Sequence, residues 1–345
     1  MKVPVFVDLE KMEFQERPKP EIKNDEVLLK VEYCGICGSD VHGYRYGIMI
    51  PIGTVMGHEF SGVVAEVGNR VQNVKPGDRV VVKPVAQCGK CYWCQRGQYS
   101  LCPEIWGVAP GLTPAHDGAL AEYVKIEYPD KMLFKLPENV SFKEAALIEP
   151  LATSLHGVRL SRLKPGDRVV VIGAGMIGLG AIQFIKLGGA GKIIALEISS
   201  KKSEIAKRLG ADVVLNPISE GKDLRGHIFS LTDGIGADLV FDCAGVPFSF
   251  QNSINFVKSG GQVMVIGIND KDVPINPFTF VAWEVEMKGA LCYCDEFKYV
   301  IDFLEQKRIN TELLISDIIP LPEIVEKGFK RLLSSQDNIK ILVKP

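Results

Sequence analysis

A chain of 345 residues is longer than one hydrophobic core usually supports, so its length predicts two domains. Hydrophobic residues make up 46% and charged residues 24%, and a net charge of -2 offers no broad basic surface for nucleic acid. No apolar run reaches the ~18 residues that a membrane span needs, and residues 1–14 carry charges where a secretory signal would be apolar. These properties predict a cytoplasmic protein whose partner is a small molecule.

The first part of the chain alternates short β-rich runs with glycine-containing turns, which predicts a compact barrel or sandwich. These runs cover residues 27–33, 60–67 and 79–82, and Lys75-Pro76-Gly77-Asp78 is a clear turn. Helical periodicity begins near residue 141. Strands and helices then alternate, which predicts a parallel doubly wound sheet. The expected strands are 168–172, 192–196, 213–215, 239–242 and 262–266, and the expected helices are 177–187 and 201–209.

The strand at 168–172 runs directly into Gly173-Ala-Gly175-Met176-Ile177-Gly178, a G-x-G-x-x-G sequence at the mouth of a helix. In this context the motif predicts a dinucleotide site. Gly173 allows a tight turn, Gly175 lets the backbone approach a pyrophosphate, and Gly178 lets the helix pack closely on the strand. The helix N-terminus, with Met176 and Ile177, supplies free N–H groups for the phosphates.

Glu197 ends the next strand, about twenty residues beyond the glycines, where a carboxylate can accept hydrogen bonds from ribose hydroxyls. Because a carboxylate repels a 2′-phosphate, Glu197 favours NAD over NADP. The alternative is a solvated surface glutamate, and Lys201 and Lys202 nearby could soften the preference.

Four of the nine cysteines fall within residues 88–102 as Cys88-x2-Cys91-x2-Cys94-x7-Cys102. Four thiolates so close together indicate one tetrahedral metal ion, and four protein ligands leave no open position, so the predicted role is structural zinc. An iron–sulfur cluster is the alternative, because Cys102-Pro103 ends the run as in a ferredoxin, although the last spacing is longer here.

A second group, Gly35-Ile36-Cys37-Gly38-Ser39-Asp40-x-His42, is followed by Gly57-His58-Glu59. A thiolate and an imidazole on two loops can converge on one ion, with a carboxylate as third ligand and water or substrate as the fourth. Taken singly, Cys37 could be a small core residue and His58 an ordinary loop histidine. Their joint occurrence favours a catalytic zinc.

With these motifs, in this order, the chain resembles the zinc-dependent medium-chain dehydrogenases over nearly its full length. The motifs are the four-cysteine lobe, the glycine turn, Gly57-His58-Glu59-x-x-Gly62 and Ile148-Glu149-Pro150-Leu151. The resemblance implies a β-rich, GroES-like catalytic domain from residues 1–152 and 290–345, with a Rossmann NAD-binding domain at residues 153–289 between them. It also implies a homodimer or homotetramer.

The resemblance implies that Cys37 and His58 bind zinc, that Asp40 orients the His58 ring, and that Ser39 and His42 relay a proton. Glu149 stands where the ethanol-oxidising branch has a second cysteine, which is similar to the polyol, butanediol and threonine branch. In that branch the third ligand can be the glutamate after the histidine or the later one. Both Glu59 and Glu149 are therefore candidates.

One departure concerns the substrate: sorbitol-type enzymes carry an Arg-Tyr pair near Cys292-Tyr293, whereas Cys294-Asp295-Glu296-Phe297 resembles the butanediol type. The loop 107–118, with His116 and Asp117, is either a substrate-facing loop or an ordinary surface loop. His156 and His227 are interpreted as structural.

The predicted function is hydride transfer between a secondary alcohol and NAD, with one catalytic and one structural zinc. Two alternatives are a zinc-free reductase of the quinone type and a redox sensor that binds NAD and metal through the same motifs. Metal content distinguishes the three.

Overall fold

The computed structural model describes residues 1–345 and separates them into two compact units. Unit 1 comprises Met1–Glu149 and Phe297–Pro345, and unit 2 comprises Pro150–Glu296. The sequence predicts domain boundaries after residue 152 and before residue 290, close to those of the structure. Both ends of the chain thus lie in unit 1. None of the helices combines the length and the apolar character that a membrane crossing requires.

The chain forms fifteen strands and twelve α-helices. The strands are β1 Lys2–Asp8, β2 Lys11–Glu16, β3 Val27–Gly35, β4 Glu59–Val67, β5 Arg79–Val82, β6 Tyr123–Ile126, β7 Leu133–Lys135, β8 Arg168–Ile172, β9 Lys192–Leu196, β10 Val213–Leu215, β11 Ala237–Asp242, β12 Val257–Val265, β13 Glu286–Gly289, β14 Ile315–Pro320 and β15 Lys340–Lys344. The helices are α1 Gly38–Tyr46, α2 Pro129–Met132, α3 Phe142–Ala145, α4 Ile148–Leu160, α5 Met176–Leu187, α6 Ser200–Leu209, α7 Pro217–Glu220, α8 Leu224–Leu231, α9 Pro247–Phe256, α10 Phe278–Trp283, α11 Glu296–Glu305 and α12 Lys330–Ser334.

Unit 1 is built on a seven-stranded sheet in the order β14-β15-β3-β4-β5-β7, with β6 also paired to β3. All of its pairings are antiparallel except that of β14 with β15. The last strand, β15, pairs with β3 through Leu342 opposite Gly35 and Val343 opposite Cys34. Its Ile341 and Val343 side chains join a core with Val27 and Phe60, and all four are fully buried. The predicted β-rich domain is confirmed, and it includes the end of the chain.

Unit 2 contains a six-stranded parallel sheet in the order β10-β9-β8-β11-β12-β13. In β8, four of the five residues are buried, which is typical of a parallel strand covered on both faces. This order is that of the doubly wound dinucleotide-binding fold, which places ligands where the order reverses, here between β8 and β11. The predicted Rossmann sheet is therefore confirmed.

Candidate metal centres and active site

The four clustered cysteines converge in a loop with two short 3-10 turns, and their sulfur atoms all lie within 4.8 Å of one another. The Sγ atoms of Cys88 and Cys94 are 3.9 Å apart, and no disulfide forms. Two sulfurs bound to one tetrahedral zinc at ~2.3 Å would lie about 3.8 Å apart. The cluster therefore has the spacing that a tetrahedral zinc ion requires.

Two of these thiols have pKa values shifted in opposite directions. Backbone N–H groups, first that of Lys90 and then that of Cys91, lower the pKa of the Cys88 thiol to about 7. Burial raises the pKa of the Cys94 thiol to about 12. Because metals bind the thiolate form, a bound cation is what would hold all four sulfurs deprotonated together.

A second donor group forms where α1 meets the start of β4. Ligand atoms of Cys37, His58 and Glu59 all lie within 4.8 Å of one another. Cys37 is the N-cap of α1, and Gly57 turns the chain ahead of His58 with a φ of +103°. A Cβ at Gly57 would come within 2.8 Å of the Cys34 Sγ, so only glycine fits this turn. A thiolate, an imidazole and a carboxylate are a donor set typical of zinc.

Asp40, fully buried in α1, supports this group from behind. One of its oxygens accepts a hydrogen bond from the Cys37 N–H at 2.9 Å, and the other lies 3.5 Å from His58 Nδ1. Burial opposes a charge on His58, but Asp40 and then Cys37 raise its pKa well above the usual value. If Nδ1 carries the proton toward Asp40, Nε2 is left as the metal-binding nitrogen.

Lys340, the first residue of β15, was not predicted as a site residue. Its Nζ donates to both Glu59 oxygens, at 2.5 and 2.7 Å, and to the carbonyl oxygen of Ile36 at 2.9 Å. Both side chains of the pair are buried. Burial opposes the lysine charge, but Glu59, followed by Cys37 and Glu149, raises the pKa of Lys340. The only hint in the sequence is a lysine at the start of an apolar strand. Its partner, Glu59, is 281 positions away, so no local pattern indicates the pair.

The remaining predicted residues of this centre are placed less uniformly. Ser39 Oγ lies 3.4 Å from His58 Nε2, whereas His42 is exposed and packs its ring against Tyr46. Glu149 is buried in the first turn of α4 but is not part of the group of three. Its effect on the pKa of Lys340 indicates that it lies near the centre.

In unit 2, the glycine turn links β8 to α5. Gly173 has a φ of +89°, and a Cβ on Gly178 would lie 1.8 Å from the Gly173 carbonyl oxygen. A Cβ on Gly175 would meet nothing within 4 Å. Gly178 is therefore needed for packing, whereas Gly175 borders open space at the N-terminus of α5, where Met176 and Ile177 begin the helix. Such a helix end can bind a phosphate.

Glu197 is buried at the end of β9 and is not a solvated surface residue. Its carboxylate accepts hydrogen bonds from the N–H groups of Ala174 at 2.7 Å and of Ile198 and Ser199 at 2.9 Å each. Lys202 Nζ lies 3.7 Å away. Glu197 thus ties the glycine turn to the loop that follows β9.

The other predicted positions lie outside these centres. His156 is buried and its Nδ1 lies 3.1 Å from a Glu296 oxygen, whereas His227 pairs with Glu220 at the surface. Tyr293 is buried beside Cys292, which adopts a φ of +52°.

Comparison with known proteins agrees with this arrangement. Two family models match: Alcohol dehydrogenase GroES-like domain over residues 23–138 and Zinc-binding dehydrogenase over residues 177–306. (R,R)-butanediol dehydrogenase of Bacillus subtilis is 37% identical over 97% of this chain and 96% of that protein. Sorbitol dehydrogenase of the same species is 33% identical over 100% and 97%. Together with the fold, these matches define the class, a zinc-dependent alcohol dehydrogenase.

Solved structures give the same result. The 2R,3R-butanediol dehydrogenase of Bacillus subtilis superposes with a TM-score of 0.90 at 34% identity, covering 100% of this chain and 99% of that one. A zinc-binding dehydrogenase of Sinorhizobium meliloti bound to NADP gives 0.88 at 31% identity, with the same coverage. The chain belongs to the zinc-dependent medium-chain alcohol dehydrogenase family, in its polyol branch, and is an oxidoreductase acting on CH–OH groups. The zinc-free reductase and the redox sensor are not favoured.

Replacing Lys340 with Met should destabilise unit 1, because it leaves the Glu59 carboxylate buried without a partner. A broken buried pair costs about 3–5 kcal/mol, and adding Glu59→Gln should recover most of the loss. Urea unfolding of the metal-free variants, with hydrogen exchange at β3 and β15, measures the effect. Lys344→Met, at the exposed end of the same strand, is the control. Equal losses in the single and double variants would show that the pair is not the cause.

Proposed function

We propose that this protein oxidises a secondary alcohol group of a diol, polyol or sugar alcohol with NAD, at a zinc ion held by Cys37, His58 and Glu59. One observation carries the proposal: three different zinc-binding atoms lie within 4.8 Å of one another beside the buried Asp40. Three protein ligands leave the fourth position of a tetrahedral zinc for substrate. The relatives named for butanediol and sorbitol support neighbouring hydroxyl groups in the substrate.

Glu59 is our choice of third ligand over Glu149, because Glu59 shares the group with Cys37 and His58. The Lys340 pair would hold its carboxylate in place beside the other two ligands. In this proposal Glu149 contributes negative charge nearby and does not bind the ion.

Zinc at this site would supply a Lewis acid that lowers the pKa of the substrate hydroxyl, and NAD would supply the hydride acceptor. Asp40 holds the His58 ring in one orientation. Ser39 Oγ, 3.4 Å from His58 Nε2, lies close to the centre and would accept the substrate hydroxyl proton while it releases its own proton. The released proton would pass by way of the ribose hydroxyls to the exposed His42, which exchanges it with water.

In unit 2 we propose that the N-terminus of α5 binds the pyrophosphate of the cofactor. We also propose that the Glu197 carboxylate accepts a hydrogen bond from a ribose hydroxyl group. The buried carboxylate would repel a 2′-phosphate, which favours NAD, while Lys202 at 3.7 Å reduces this preference. Because one related structure holds NADP, turnover should be measured with both NAD and NADP. The four cysteines Cys88, Cys91, Cys94 and Cys102 are proposed to hold a second, structural zinc.

We also propose a homodimer or homotetramer in the cytoplasm. Strand β13 lies at one edge of the parallel sheet, and the nearby helix α10 exposes Phe278 and Val281. An open strand edge with apolar neighbours favours pairing with another chain. The nine reduced cysteines fit a reducing compartment.

Substituting alanine at Gly175 and at Gly178 should separate cofactor binding from folding. Gly175→Ala meets no protein atom, so the melting temperature should stay constant while the Kd for NAD rises at least about tenfold, because the methyl group occupies the phosphate space. Gly178→Ala should lower the free energy of unfolding by roughly 1–3 kcal/mol, and with it the melting temperature, because the added Cβ would clash with the Gly173 carbonyl oxygen. Calorimetric NAD titration and thermal melts measure both. Unchanged NAD affinity in Gly175→Ala would contradict the phosphate site.

The two zinc sites should respond differently to cysteine replacement. Cys37→Ser should lose one of two zinc ions and about a thousandfold in activity with little change in melting temperature, because a Lewis acid supplies several kcal/mol. Cys91→Ser should also lose one ion, but with a clearly lower melting temperature. Zinc content is measured by mass spectrometry, and turnover with a panel of diols, polyols and threonine using NAD and NADP. Cys292→Ser is the control and should keep both ions. Wild-type turnover in Cys37→Ser would refute the catalytic site.

Two isosteric substitutions identify the third ligand. Glu59→Gln should lower the zinc content from two ions toward one, because a neutral amide binds zinc poorly, whereas Glu149→Gln should keep both ions. Zinc content is measured after dialysis against a weak chelator, so the result does not depend on turnover. The opposite pattern would assign the ligand to Glu149.

A further inference from the structure

Unit 1 has a cleft of about 170 Å³ whose lining includes none of the proposed metal ligands. We call it the outer cleft. Its polar side chains come from the segment after β2, from the loop 107–118 and from β6 and the residue that follows it; they are Arg17, His116, Asp117, Lys125 and Glu127. The rest of its lining is proline, valine and alanine.

The charges of the outer cleft are already paired with one another. Arg17 donates to Asp117, while Lys125 Nζ and His116 Nδ1 lie 3.2 and 3.3 Å from the same Glu127 oxygen. These five side chains are only 20–31% exposed. Two cations and two carboxylates cancel. A free anion would have to compete with Asp117 or Glu127, and a free cation would face Arg17 and Lys125.

Hydrogen-bonding capacity nevertheless remains. Asp117 and Glu127 each use one carboxylate oxygen in these pairs, and the second oxygen of each accepts no hydrogen bond from the protein. The open carboxylate oxygens can accept hydrogen bonds from O–H donors. Arg17 donates to Asp117 and, at 3.4 Å, to the Gly53 carbonyl oxygen, and its remaining N–H groups can donate to an acceptor. Hydroxyl groups supply both without breaking an ion pair. The proline and alanine walls suit the C–H faces of such a molecule.

We propose that the outer cleft is a second ligand site, which binds a neutral polyhydroxylated molecule such as a sugar or a sugar alcohol.

The inner side of the same loop supports the backbone that precedes His58. A Cβ on Gly111 would lie 2.5 Å from the Gly57 carbonyl oxygen. The N–H groups of Gly118 and Ala119 donate to Val55 and Gly57 at 2.7 and 2.8 Å. Because the loop 107–118 packs tightly against the backbone at residues 55–57, a ligand that moves the loop also moves His58. The effect of this ligand on His58 rests on the proposed function, whereas the binding of the ligand in the outer cleft does not.

Calorimetric titration with sorbitol and with glucose tests the site. Wild-type protein and Cys37→Ser should bind either compound equally well at the cleft. In the Cys37→Ser background, where the active site lacks its zinc, Ala115→Trp, which fills the cleft, and Asp117→Asn, which removes an acceptor without adding bulk, should each weaken binding at least tenfold. Glu326→Gln, which alters an exposed ion pair elsewhere in unit 1, should leave binding unchanged.

Binding that Ala115→Trp and Asp117→Asn leave intact would overturn the proposal, as would the absence of binding to Cys37→Ser. Stronger binding of citrate or Mg²⁺ than of sorbitol would overturn the ligand class. Since these titrations need no turnover, failure at the outer cleft leaves the zinc and activity results for Cys37→Ser untouched.

Histidine NMR tests the coupling, because the chain has only five histidines. Sorbitol should shift the His58 signal in Cys37→Ser, which lacks the zinc that would hold a substrate, and not in the double variant that combines Cys37→Ser with Ala115→Trp. A shift confined to His116 would show that the cleft binds ligand without affecting the metal centre.

Discussion

The buried ion pair between Lys340 and Glu59 is the interaction on which the proposed catalytic centre depends. Each charge would be costly to bury alone; the Glu59 carboxylate is paired with Lys340, and the lysine also donates to the Ile36 carbonyl oxygen. The pair joins β15, near the end of the chain, to β4, which begins directly after His58. The carboxylate beside the proposed zinc ligands is therefore held by a residue that contributes no ligand itself.

Tight glycine turns impose a similar order on both units. Gly57 admits no side chain beside Cys34, and Gly178 admits none beside the Gly173 oxygen. In each case the missing side chain lets two backbone segments approach closely and fixes the direction of the residues that follow. His58 follows the first turn, and α5 continues from the second. Close backbone packing, more than side-chain hydrogen bonding, positions these groups.

Local patterns in the sequence were enough to predict much of the fold. The strands at 168–172 and 192–196 were predicted to the residue, because continuous apolar runs end there at clear turn residues. β12 begins at Val257 instead of the expected 262, since Gly260 and Gly261 inside the strand had the look of a turn. The β1–β2 hairpin was not predicted. Its strands carry a proline and many charges, and the burial of Val3, Val5 and Phe6 outweighs these weak propensities.

The candidate site was predictable where its residues are close in sequence. Four cysteines within fifteen residues predict a metal site by their spacing alone. Cys37 and His58 each lie next to a glycine in short motifs that also indicate a metal site. Lys340 has no such signal, because only the pairing of β15 with β3 brings it near Glu59. The outer cleft is similar: its polar groups come from three separate segments, and nothing in any one of them indicates the ion pairs that they form together.

The division of the chain has a consequence for synthesis on the ribosome. Unit 2 is continuous from Pro150 to Glu296, so it can complete its sheet as soon as those residues have emerged. Unit 1 lacks β14 and β15 until residues 315–344 are made, and Glu59 has no lysine partner until then. The first half of unit 1 therefore stays incomplete, with Cys34 and Gly35 of β3 lacking their β15 partners, while the unit encoded later can finish first.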